Sequence, residues 1–73
     1  MNTATVRRVA CRKRRELADQ FAISARLYAE AVVMLAQARG EEFDGLIRSA
    51  DATRERMEAA RMAFEEHVRE HGC

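Results

Sequence analysis

The residues best suited to chemistry are Cys11, His67, His71 and Cys73, the only cysteines and histidines among 73 residues. His67 and His71 stand four apart, so on a helix both project from one face. Cys11 is distant in sequence. A chain that doubles back at Gly40, however, places residue 40−k beside residue 40+k and brings Cys11 level with Arg69, between the two histidines. Two thiolates and two imidazoles form a tetrahedral zinc set, and zinc is the one cofactor these residues offer. Two other chemistries compete with it. A Cys11–Cys73 disulfide would close a long loop and contribute about 4 kcal/mol by restricting the unfolded chain. The simplest reading is two reduced thiols, with His71 ending an apolar stripe, His67 near the surface, and imidazolium charge favoured beside a helix C-terminus. The missing C-x2-C pair and the place of Cys73 beyond Gly72 argue against zinc, and no metal ligand or cofactor is assigned.

Enzymatic arrangements are not supported, and no catalytic residue is expected. Ser24 and Ser49 fall within helical pattern rather than at a strand–turn–helix elbow. Gly40, Gly45 and Gly72 are isolated and form no phosphate-binding loop. The carboxylates repeat along solvent-facing helix, where pairs such as Glu66 and Glu70 read as surface charge.

A second candidate is the basic run Arg12, Lys13, Arg14 and Arg15, whose density resembles a phosphate-binding patch. The overall charge of +1 conceals an asymmetry: residues 1–40 carry a balance of +5 and residues 41–73 a balance of −4. A hairpin lays the basic run near Glu65, Glu66 and Glu70, which cancels part of its field. Aromatic side chains for base stacking are not interleaved with it, since Phe21 and Tyr28 fall on an apolar seam. Complementary charge that sets helix orientation is the favoured reading, with a nucleic-acid accessory role as the alternative.

The elements that must position these residues are helices. Ala, Glu, Arg, Leu and Met dominate, and Pro is absent. An apolar content of 48% at near-zero net charge excludes disorder. The expected fold is all-α, a two-helix antiparallel hairpin resembling a coiled coil. Residues 1–10 are expected to fray, because their arginines oppose the positive end of the helix dipole. Firm helix is expected over about 11–39. Gly40 supplies a left-handed turn, and a second helix runs over about 41–70, its first turn carrying Glu41, Glu42 and Asp44. Residues 72–73 form a tail.

Helix 1 has a seam at alternating steps of four and three: Leu17, Phe21, Ser24, Tyr28, Ala31, Leu35 and Ala38. Cys11, Ala18, Ala25 and Val32 repeat beside it every seven residues, and Leu27 and Met34 widen the other flank. The apolar arc exceeds half the circumference, more than the roughly 100° one partner covers. Helix 2 is narrower: Phe43, Ala50, Met57, Phe64 and His71 at sevens, flanked by Leu46, Ile47, Ala60 and Val68, opposite acidic Asp44, Asp51, Glu58 and Glu65. Leu17, Phe21, Tyr28, Val32, Leu35, Phe43, Leu46, Met57 and Phe64 are therefore the expected core and interface.

Helix 2 can satisfy itself against helix 1, but not the reverse. A C2 homodimer forming a four-helix bundle, with helix 1 innermost, is the simplest resolution. The uncharged stretch Ala31 to Ala38 is far short of the roughly 20 residues a membrane span needs. Five consecutive charges over Arg12 to Glu16 interrupt any secretory h-region. A cytoplasmic interaction protein with an unidentified protein partner is the expectation.

Overall fold

The computed structural model describes the backbone of residues 3–72, and the side chains of Val9 and of residues 11–72. Two helices make up the fold: α1, Thr3–Ala36, and α2, Glu42–His71. They lie antiparallel in an all-α hairpin.

Both bounds of α1 differ from expectation. It begins at Thr3, well before Cys11, and stops at Ala36 rather than near Arg39. The early stop has a geometric cause. Gln37 and Ala38 donate to the carbonyls of Met34 and Leu35 at 3.2 Å each, i→i+3 bonds that tighten the last turn. Residues 37–41 then carry the chain sideways by the distance between two packed helix axes, about 8–10 Å. Gly40 sits within this link rather than directly after the helix. Its φ of +58° is in the left-handed region, as its residue type foretold. The Gly40 carbonyl accepts from the Phe43 N–H at 3.3 Å, which starts α2. No side chain caps that start, and Glu42 and Asp44 supply negative charge to its first turn. Gly72, φ +63°, closes α2 and donates its N–H to the Val68 carbonyl at 2.8 Å.

The seam is formed as its spacing required. Leu17, Phe21, Tyr28 and Leu35 of α1 meet Leu46, Met57 and Phe64 of α2, all half-buried. Two polar residues on it are satisfied locally. The Ser24 hydroxyl donates to the Gln20 carbonyl at 2.8 Å, and the Thr53 hydroxyl to the Ala50 carbonyl at 2.9 Å. Among the described residues only Ala31 and Ala50 are buried hydrophobics. Two helices form one contact layer and no interior.

The outline reflects this. The Cα extents are 60 × 14 × 14 Å and the radius of gyration is 16.9 Å, whereas a compact domain of this length has about 11 Å.

Candidate functional site

At the open end of the hairpin the His67 and His71 rings stand 4.5 Å apart, tilted by 41°, as their spacing required. His71 Nε2 lies 3.9 Å from Glu70 Oε2. Cys11 is disulfide-bonded, which corrects the expectation that its thiol is reduced. The chain's other cysteine, Cys73, lies outside the described residues. A disulfide sulfur is not a thiolate and gives a zinc ion no charged ligand. Among the described residues, no three His, Cys, Asp or Glu side chains are grouped to hold a metal.

The basic run is likewise divided by helical geometry. Arg12, Lys13, Arg14 and Arg15 are all exposed, but consecutive helical residues turn by about 100° each. Four in a row point in four directions rather than forming one phosphate-facing stripe. Arg14 crosses to α2, its guanidinium carbon 6.0 Å from the Phe64 ring centroid, within cation–π range. Lys13 faces Glu16 at 3.9 Å. Positive α1 thus lies against α2, as the charge asymmetry implied.

The two flanks of α2 differ sharply. Along one flank Asp51, Arg54, Glu58, Arg61 and Glu65 form a ladder. Arg54 stands 3.8 Å from Asp51, and Arg61 reaches Glu58 at 2.7 Å and Glu65 at 3.0 Å. Hydrogen bonds and charge from Glu58, then Glu65, raise the Arg61 pKa above its ordinary value. Every member is well exposed, so the ladder orders side chains more than it stabilises the fold.

Along the opposite flank run Gly45, Ser49, Ala52, Arg56, Ala59 and Ala63, also at steps of four and three, and all exposed. This flank adjoins the side of α1 that bears Ile23, Leu27 and Met34, exposed by 59%, 45% and 55%. Gln20, Ile23 and Ser24 share one open groove with Arg56, Ala59, Ala60 and Ala63. Met34 shares another with Glu42, Gly45 and Leu46. The result is a face along the hairpin with large apolar side chains on one helix and small ones on the other.

The heptad pattern marks Leu27 and Met34 as a surplus flank, but not Ile23 or the small residues of α2. The regular spacing from Gly45 to Ala63 was the available signal. Val32 and Phe43, expected in the core or interface, are 41% and 44% exposed within the hairpin. Val32 lies on the other flank of α1, and Phe43 stands at the turn, where α1 has already ended. Comparison with protein-family models, curated proteins and solved structures finds no match. Among the described residues no helix is long and apolar enough to cross a membrane.

Proposed function

We propose that this chain is a non-enzymatic interaction protein: a helical hairpin that completes its core by pairing with a second copy. As a four-helix bundle it offers the charged flank of α2 to another protein. The observation that supports this is surface area. The chain exposes 5936 Å², whereas a compact monomer of 8.3 kDa exposes about 4,600 Å². The surplus is about 1,300 Å² per chain, and interfaces of permanent homodimers hide about 1,000–2,500 Å² per partner. Exposed Ile23, Leu27 and Met34 lie together on one flank of α1 and belong to that surplus, and grouped apolar side chains on soluble chains mark association surfaces.

The ion-paired ladder from Asp51 to Glu65 is the contrasting feature. It carries both signs of charge in fixed order, which suits it to a partner-facing surface that selects by charge pattern. Sedimentation equilibrium at micromolar concentration tests the reading. The expected mass is that of two chains. A mass of one chain across the micromolar range would overturn it.

A further inference from the structure

We propose that the second copy docks on the face formed by Ile23, Leu27 and Met34 together with the small flank of α2, so that α1 of each chain lies on α2 of the other. This rests on the self-association reading and names the surface and register it uses.

The arrangement follows from three properties of that face. The first is shape. Gly45, Ala52 and Ala59 leave the α2 side low, and a Cβ placed on Gly45 meets nothing within 4 Å. The α1 side is raised by Ile23, Leu27 and Met34, with exposed Glu30 between the last two, so the two halves of the face are complementary in height. A two-fold axis along the hairpin sets the raised half of one copy on the low half of the other and keeps every residue at its own level. Met34 shares a groove with Gly45, and Ile23 with Arg56. The same register puts Leu27 over Ala52 of the second copy and Met34 over its Gly45. Arg56 is the one charge in the stripe. It lies level with Ile23, where its aliphatic stem covers the side chain while the guanidinium reaches water.

The second property is charge. Between Gln20 and Ala36 the charged residues are Arg26 and Glu30, so the α1 half of the face carries no net charge to repel a second copy, and the basic cluster lies outside it. The third is area. From Gly45 to Ala63 the stripe is about 27 Å long, and two helices are about 20 Å wide. Two copies then hide on the order of 1,000 Å² together, about 500 Å² of each chain, which reaches the lower bound for a specific interface and covers part of each chain's surplus. The ladder from Asp51 to Glu65 is left facing outward.

The test uses the full chain and two exposed positions. Leu27→Lys and Ala52→Glu are each expected to weaken the dimer on the order of 100-fold, with helical circular dichroism retained. Mixed in equal amounts, they should form a heterodimer in which the introduced ammonium of one chain meets the introduced carboxylate of the other, seen as a two-chain mass in native mass spectrometry. Met34→Lys mixed with Gly45→Glu repeats the test one helical repeat away and serves if either first variant fails to fold. Rescue in the mixture supports the proposal. Single variants that dimerise as tightly as the wild type, or mixtures that stay monomeric, overturn it while leaving self-association standing. A monomeric wild type overturns both.

Discussion

At the scale of single residues, two glycines with opposite roles separate backbone strain from packing. Gly40 holds φ +58° in the link, so Gly40→Ala forces an L-residue into the left-handed region and should lower stability by about 1 kcal/mol in urea unfolding. Gly45 lies inside α2 with ordinary helical φ and open space around its Cβ position. Gly45→Ala should raise the stability of the unpaired hairpin by about 0.5–1 kcal/mol in the same measurement made below the dimer Kd. The two signs check whether the turn sits where described. Cys11 supplies a covalent test. Its disulfide bond can be formed within the chain only with Cys73, and denaturing mass spectrometry without reductant should then read about two mass units below the reduced chain. A disulfide-linked pair of chains at double mass would instead place the bond between copies.

At the scale of the element, each helix behaves as its heptads require and departs from them only where the chain must turn. Ala31 and Ala50 are the most buried hydrophobics described and belong to the same stretch of the seam. Small side chains there let the axes approach closely, and half-buried Tyr28 and Leu35 of α1 and Leu46 and Thr53 of α2 lie about one turn to either side of them. Ala50→Leu should therefore overpack the seam and lower stability by about 1–3 kcal/mol, read by thermal unfolding. Nothing in residues 37–39 disfavours helix, since Gln, Ala and Arg all propagate one. The end of α1 at Ala36 was consequently invisible locally. It is imposed by the sideways step to α2, a requirement that belongs to the pair of helices and not to either one.

For the molecule as a whole, the controlling fact is that two helices enclose no volume. A hairpin with a radius of gyration of 16.9 Å cannot remove its apolar residues from water alone, so its stability should depend on its own concentration. The midpoint of thermal unfolding is expected to rise as the protein is concentrated from 1 to 100 times the dimer Kd, over which linkage adds about 2.3 kcal/mol. A midpoint independent of concentration would contradict association. Replacing Arg12, Lys13, Arg14 and Arg15 with Gln should leave the two-chain mass intact, because the docking face begins beyond them. Loss of duplex or single-strand retention in that variant, measured by gel shift at low salt against a wild type that binds, would revive the nucleic-acid role.

Local pattern in the amino-acid sequence was enough for the helical class, the seam from Leu17 to Ala38, the left-handed turn at Gly40 and the opposition of positive and negative halves. Each is set by neighbours within a few residues or by a repeat along one helix. Antiparallel packing of right-handed helices seam on seam also leaves only one pairing of flanks, which puts Leu27 and Met34 beside Gly45 and Ala52 and the ion ladder on the other side. Tertiary structure decided where α1 stops, at Ala36, and how much of each flank stays in water, because both depend on the path of residues 37–41 and on the single partner each helix has. The face therefore exists in neither helix by itself, because half of it is carried by each.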